Sequence, residues 1–115
     1  MMTQAQPRPE PAPPDMTSAM APIGDADILY LPRGVRLEDD RVRGIRILQA
    51  PERAMQLDQV GDAILSELDG RIGLGTLVDR LARKYDAPRG QIREDVCGFL
   101  TGLVERRMVF IRGRE

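Results

Sequence analysis

The apolar residues of this chain change their spacing once, at Leu57, and this change limits the fold more than any other feature. From about residue 33 to Leu57 they alternate with polar residues, as in Val35-Arg36-Leu37-Glu38, which is typical of strands with one buried face. Beyond Leu57 they recur every three or four residues, the spacing of amphipathic helices. The sequence therefore predicts an α+β fold in which strands come first and helices follow.

Three short strands are predicted in the first part, at about residues 33–38, 41–48 and 54–57. Asp39-Asp40 is the predicted turn between the first two strands, and Ala50-Pro51-Glu52-Arg53 is the predicted turn before the third. Strands joined by turns this short pair antiparallel, because parallel neighbours need a long crossover. The expected unit is a three-stranded antiparallel meander.

Three helices are predicted in the second part. The first runs from Gln59 to Asp69, with Asp58 as its N-cap and Gly70 at the C′ position. The second covers residues 74–85 and has the clearest apolar stripe, with Leu81 at its centre and expected to be buried. After Pro88, the third helix continues to about Arg106, and its predicted buried stripe is Ile92, Val96, Phe99, Leu100, Leu103 and Val104. Residues 108–111 are expected to cover the core as an extended segment.

Residues 1–27 differ in composition from the rest of the chain, since they hold six prolines and few branched apolar residues. Proline fixes φ and removes a backbone donor, so this stretch is predicted to be a disordered, proline-rich linker. Residues 28–115 are then the folded domain. They contain 14 acidic and 16 basic residues and therefore carry a net charge near +2.

The residue types that are missing argue against catalysis. The chain has no histidine and one cysteine, so neither a zinc cluster nor a Cys-His pair can be assembled, and no cofactor or metal is expected. An enzyme that relies on carboxylates and arginines alone remains an alternative. No apolar run of 18 residues occurs, and no secretion signal opens the sequence, which predicts a cytoplasmic protein without a membrane partner.

Six arginines cluster in the strand region: Arg33, Arg36, Arg41, Arg43, Arg46 and Arg53. They could form a solvated face, dock an acidic partner, or bind nucleic acid. A winged-helix DNA-binding protein is the main alternative function, but it needs a strongly basic face to neutralise phosphates. The charge near +2, together with Glu94 and Asp95 on the third helix, speaks against a nucleic-acid partner.

Over about residues 28–111 the sequence resembles the PqqD family of pyrroloquinoline quinone (PQQ) biosynthesis. The resemblance lies in several short stretches that occur in the family's order: Leu31-Pro32-Arg33-Gly34-Val35-Arg36-Leu37, Ala50-Pro51-Glu52-Arg53, Leu57-Asp58, Ala63-Ile64-Leu65, Asp69-Gly70 and Phe99-Leu100. Three residues depart from the family pattern. Gly73 and Gly75 stand where a better helix start is usual, and Arg107 replaces a glycine that is common after the last helix.

The resemblance implies a winged helix-turn-helix-like peptide-recognition domain and no enzyme activity. Such a protein binds the precursor peptide PqqA and presents it to the radical S-adenosylmethionine (SAM) enzyme PqqE. Some family members are joined to the enzyme PqqC through a linker, and the proline-rich head resembles such a connector.

The expected peptide site combines an open strand edge with the third helix. Ala54-Met55-Gln56-Leu57 has neither charge nor proline, so it should accept an added antiparallel strand more readily than the first strand, which carries Arg36 and Glu38. The resemblance places the apolar pockets between the third strand and the third helix. The residues expected to line them are Val96, Cys97, Leu100 and Val104. Cys97 alone is read as a small packing residue and not as a reactive thiol.

Overall fold

The computed structural model describes residues 22–115, so the prediction of a disordered linker for residues 1–21 lies outside the described residues. The elements in chain order are β1 Leu29–Tyr30, β2 Arg36–Asp40, β3 Ile45–Ala50, β4 Arg53–Leu57, α1 Gln59–Ser66, α2 Leu74–Tyr85, α3 Arg89–Glu105 and β5 Phe110–Ile111. The predicted α+β order is confirmed: an antiparallel sheet in the order β2-β3-β4 is followed by the three helices.

One face of this sheet supplies the strand contribution to the core. Leu37, Leu48 and Met55 stand opposite one another across the three strands, and Leu48 is completely buried. On the other face, Glu38, Ile47 and Gln56 form the corresponding row and are at least partly exposed. The period of two in the sequence therefore marks the buried face correctly.

The turn between β2 and β3 lies later than predicted. Asp39 and Asp40 are the last two residues of β2, and β3 begins at Ile45, not at Arg41. The backbone N–H of Gly44 donates to the Asp40 carbonyl at 2.8 Å, and Gly44 has a φ of +70°. Because glycine adopts this left-handed conformation without a steric penalty, it fixes the position where the chain reverses.

Helix α1 ends at Ser66, before the predicted end at Asp69, so Gly70 is not its C′ residue. The Glu67 N–H closes the helix by donating to the carbonyls of Ile64 and Leu65. The Asp69 carboxylate then accepts hydrogen bonds from the N–H groups of Arg71 and Ile72, at 2.8 and 3.1 Å. An aspartate that binds backbone donors two and three residues ahead favours a turn over a helix.

The prediction for α2 is confirmed over its whole length, and Leu81 is buried as expected. Helix α3 begins at Arg89 and buries Val96, Leu100 and Leu103 against the core. Met108, Val109 and Ile111, near the end of the chain, are buried as well, so the predicted cover over the core is confirmed.

Residues 22–27 belong to the fold, and the predicted domain boundary at residue 27 is therefore too late. Ile23 is only 4% exposed. Carbonyls of this segment accept hydrogen bonds from the first N–H groups of α2. The Gly75 N–H donates to the Asp25 carbonyl at 3.0 Å, and the Leu74 N–H donates to the Asp27 carbonyl at 2.8 Å. These bonds satisfy helix donors that no side chain caps.

The same contacts explain the two glycines that depart from the family pattern. A Cβ on Gly73 would lie 2.7 Å from the Asp25 carbonyl oxygen, and a Cβ on Gly75 would lie 3.1 Å from the Asp25 Cβ. Larger residues would push the N-terminal segment off α2. What looks like a poor helix start in the sequence is thus a site of close backbone approach.

The two ends of the described chain meet in a second, two-stranded sheet. Leu29 pairs with Ile111 and Tyr30 with Phe110. The rings of Tyr30 and Phe110 pack edge to face with their centres 6.1 Å apart. This pairing holds residues 28–30 against the segment that follows α3.

Candidate functional site

Strand β4 forms one edge of the three-stranded sheet, and its outer side is open. Within residues 22–115, its backbone makes hydrogen bonds only to β3. A two-residue turn joins Ala50 to Arg53, and these two residues form a hydrogen-bonded pair. From this pair onward, hydrogen-bonded and non-hydrogen-bonded residue pairs alternate along the antiparallel strands. By this alternation, Met55 and Leu57 bond to β3, whereas the N–H and C=O groups of Ala54 and Gln56 point outward.

The side chains of this edge suit an added strand. Ala54 and Gln56 are exposed, Met55 is half-buried, and Leu57 is buried beneath the sheet. The structure therefore brings the four predicted strand residues together along one edge without a charge among them. The opposite edge, β2, carries an ion pair between Arg36 and Glu38 and a second one between Asp39 and Arg46.

Two of the predicted helix residues belong to the buried core. Val96 is 2% exposed and Leu100 is completely buried. A ligand could touch Leu100 only if the core opened, whereas Val96 forms part of the wall of a small apolar cavity where the three helices meet. Their apolar character marks the buried stripe of α3, and the sequence pattern alone does not separate a pocket wall from a core position.

Cys97 and Val104 are seven residues apart and therefore lie on one flank of α3. Val104 lines a cavity together with Phe110 and Ile111 of β5. Cys97 is one helical turn after Arg93, whose guanidinium donates to the Asp25 carboxylate at 2.9 Å. This flank therefore packs near the N-terminal segment and β5, and the contacts of Cys97 and Val104 with a strand at β4 stay a prediction.

Another flank of α3 carries Phe99 and ends at Arg106, two residues that were not assigned to the site from the sequence. The Phe99 ring lies 3.1 Å from the place where a Cβ of Gly61 would be, at the start of α1. The Arg53 guanidinium donates to the Arg106 carbonyl and ties the start of β4 to the end of α3. The seven-residue spacing of Ile92, Phe99 and Arg106 could have identified this flank.

The end of β4 that leads into α1 is acidic. A cleft of about 490 Å³ is lined there by Asp39, Asp40, Asp58 and Asp62, together with Arg41 and Arg46. Arg46 donates to Asp39 at 2.7 Å and to Asp62 at 3.0 Å. The hydrogen bond to Asp39 is the main reason why the pKa of Arg46 is raised, and its charge is neutralised within the fold.

These pairs weaken the nucleic-acid alternative. Three of the six clustered arginines, Arg36, Arg43 and Arg46, are paired with acids of the sheet region or α1. On α3, the helix that would enter a DNA groove, Arg89 and Arg93 pair with aspartates, whereas Glu94 and Asp95 are exposed. Phosphates would meet little uncompensated positive charge on this helix.

Among residues 22–115, no group of three or more acidic or cysteine side chains is arranged to hold a metal ion. In the same part of the chain, no helix is both long enough and apolar enough to cross a membrane.

Comparison with known proteins supports the assignment made from the sequence. The family model "Coenzyme PQQ synthesis protein D (PqqD)" matches residues 46–109. The PqqA binding protein of Rhizobium meliloti is 44% identical over 96 residues, which cover 84% of this chain and 98% of the relative. The bifunctional coenzyme PQQ synthesis protein C/D of Methylorubrum extorquens is 37% identical over 93 residues, covering 81% of this chain and 25% of that protein.

A solved structure shows the same architecture. It is the solution NMR structure of the PqqD part of Methylobacterium extorquens PqqCD, described as a stand-alone recognition element for ribosomally synthesised and post-translationally modified peptides (RiPPs). The TM-score is 0.68 at 38% identity, with 76% of this chain and 94% of the other chain covered. Fold and site together define a small α+β recognition domain of winged-helix order, whose candidate site is an open strand edge. The chain belongs to the PqqD family.

Proposed function

We propose that this protein binds the PqqA precursor peptide in PQQ biosynthesis by accepting it as a fourth strand along β4. The observation that carries the proposal is the open, uncharged backbone edge of Ala54 to Leu57. Relatives that align over almost their entire length are named for PqqA binding, which supplies the identity of the ligand. The domain would then act as a RiPP recognition element.

The strand edge alone does not account for tight binding. Ala54 and Gln56 offer two donors and two acceptors, and four hydrogen bonds contribute roughly 2 to 6 kcal/mol. A micromolar complex requires about 8 kcal/mol, after the cost of ordering a flexible peptide has been met. The balance must come from apolar contacts. The half-buried Met55 lies on the edge itself, and Phe99 contacts Gly61 at the start of α1, which follows β4.

The chemistry on the peptide is assigned to a partner. We infer that the domain is not an enzyme and presents bound PqqA to the radical SAM enzyme PqqE. Near β4, Asp39 and Asp62 both form an ion pair with Arg46. A link to PqqC fits the M. extorquens relative, in which C and D parts share one chain.

An NMR titration of labelled protein with synthetic PqqA tests the location of the site. The amide signals of residues 54–57 and of Phe99 should shift, whereas those of β2 should stay close to their free positions. Shifts confined to β2 would move the added strand to the other edge of the sheet. The absence of any binding would remove the proposed function.

Gln56→Pro and Gln56→Ala separate the backbone contribution from that of the side chain. Proline removes the outward N–H, which β3 does not use, so the Kd for PqqA should rise about tenfold or more, because a hydrogen bond is lost and the ring blocks close approach. Gln56→Ala keeps this donor and should bind nearly as the wild type does. Titration calorimetry measures both. Equal affinity of the two variants would contradict strand addition at β4.

A further inference from the structure

A small apolar cavity lies where the three helices meet, beyond the end of the β4 edge. It has a volume of about 130 Å³ and is walled mainly by aliphatic side chains, among them Val60, Ala63 and Ile92. Val60 is 54% exposed and Tyr85 is 40% exposed. Both line the cavity, and they are two of the three large apolar side chains that stand exposed in residues 22–115. Exposed apolar surface that converges on one concavity is typical of a binding site.

The cavity has one charged group in its lining. Asp95 of α3 is exposed and forms no ion pair with any residue from 22 to 115, although most acids near β4 are paired. Lys84 of α2 is the sequence neighbour of Tyr85. Its ammonium group lies over the Tyr85 ring, 5.7 Å from the ring centre. An apolar hollow with a single carboxylate at its rim suits an apolar side chain that has a positively charged neighbour.

The position of the cavity relates it to the strand edge. Val60 follows the last residue of β4 by three positions, and Gly61, the next residue, contacts the Phe99 ring of α3. A strand added antiparallel to β4 runs from Leu57 toward Arg53, so the peptide residues upstream of it extend past Leu57 toward α1. At about 3.3 Å per residue, roughly three or four of them reach the cavity.

We propose that this cavity binds an apolar side chain of the precursor peptide, roughly three or four residues upstream of the segment that pairs with β4. A basic residue next to that side chain meets Asp95. This site rests on the proposed function, because the β4 edge sets the direction and reach of the peptide. It gives the peptide a second anchor, whose apolar burial adds to the backbone hydrogen bonds of the edge.

Asp95→Asn tests the charged part of the site, with Glu94→Gln as the matched control. Glu94 is the exposed neighbour of Asp95, also forms no ion pair within residues 22–115, and does not line the cavity. Asp95→Asn should weaken binding of full-length PqqA by about two- to fivefold and reduce its salt dependence. Glu94→Gln should change neither. Equal behaviour of the two variants would overturn the role of Asp95.

A shortened peptide tests the apolar part. A synthetic PqqA copy that begins at the first residue paired with β4, as located by the NMR titration, should bind about tenfold more weakly or worse. For this copy, the difference between wild type and Asp95→Asn should vanish. If the short and full peptides bind equally well, and both shift the signals of residues 54–57, strand addition stands and the cavity site is overturned.

Two further outcomes separate the possible failures. If full-length PqqA does not bind at all, the proposed function fails, and this site fails with it. If deletion of residues 1–21 shifts the amide signals of Tyr85 and Ile92 in the absence of peptide, the chain's own head fills the cavity, which contradicts the assignment to PqqA.

Discussion

At the scale of single residues, Asp25 joins three parts of the fold. Its carbonyl caps α2 through the Gly75 N–H, and its carboxylate accepts from Arg93 of α3 and lies 3.6 Å from Arg89. The hydrogen bond from Arg93 is the main reason why the pKa of Asp25 is lowered. One exposed acid therefore connects the N-terminal segment to two helices.

The lowered pKa predicts a pH dependence of stability. Because the carboxyl group binds its proton more weakly in the folded state than in the unfolded state, its contribution is present above about pH 4 and is lost as the pH falls through the folded-state pKa. Asp25→Asn should thus lower the urea midpoint at pH 7, and the gap to the wild type should narrow as the pH falls below about 4.

Glu94→Gln, which removes a carboxylate that pairs with no described residue, is the control for Asp25→Asn and should leave the midpoint almost unchanged at both pH values. The pKa values of Asp69 and Glu115 are lowered too, so the wild type loses stability in acid for several reasons. Only the difference between the wild type and Asp25→Asn reports on Asp25. A gap that stays constant from pH 7 to pH 3 would contradict the ion pair.

At the scale of elements, the start of α2 offers a sharp test of the packing of residues 23–27. Gly73→Ala places a Cβ 2.7 Å from the Asp25 carbonyl oxygen, so the segment must move, at a cost of about 1 to 3 kcal/mol in the free energy of unfolding. The φ of Gly73 is −79°, which alanine adopts freely, so the loss would come from the contact and not from backbone strain.

Gly98→Ala on α3 is the matched control for Gly73→Ala. A Cβ there meets nothing within 4 Å, and alanine in a helix stabilises the fold by about 0.5 to 1 kcal/mol relative to glycine. Chemical denaturation should therefore show opposite signs for the two substitutions. A neutral or stabilising Gly73→Ala would mean that the segment does not rest on α2.

The sequence predicted elements where a periodic pattern is long, and failed where structure depends on contacts between distant residues. Helix α2 was predicted to the residue, because Leu74, Leu77, Val78 and Leu81 repeat one stripe. The pairing of β1 with β5 was not predicted, since two-residue strands about 80 positions apart leave no periodic signal. Ile23 was missed for the same reason, because a single apolar residue among prolines has no pattern.

The candidate site was predicted in the same uneven way. The strand half, Ala54 to Leu57, follows from local chemistry, namely an uncharged stretch at the end of a meander. The helix half depends on which flank of α3 faces β4, and a helix with apolar residues on several sides does not reveal this. Val96 and Leu100 are buried in the core, and Phe99 contacts Gly61 at the start of α1.

At the scale of the whole molecule, the true N-terminal limit of the domain can be measured by truncation. A chain that begins at Pro22 should unfold like the full chain, because the composition of residues 1–21 predicts a linker and the shortened chain keeps Ile23, which is buried. A chain that begins at Ile28 loses the burial of Ile23, about 1.5 to 3 kcal/mol, and the caps of α2 in addition. Urea midpoints of the three proteins give the comparison. If the two shorter chains are equally stable, the boundary lies at residue 27 after all.

The two ends of the described domain, residues 22–115, meet, and this has a consequence for how such a domain can be carried within larger proteins. Arg114 donates to the Pro22 carbonyl at 3.3 Å, and the Arg112 N–H donates to the Ile28 carbonyl at 2.8 Å. A domain whose two ends lie close together can be fused to another protein at either end. It can also be inserted into a loop of another protein with little change in orientation. The junction is formed by the β1–β5 pair, whereas β4 belongs to the other sheet, so attachment at the junction would leave the strand order β2-β3-β4 unchanged.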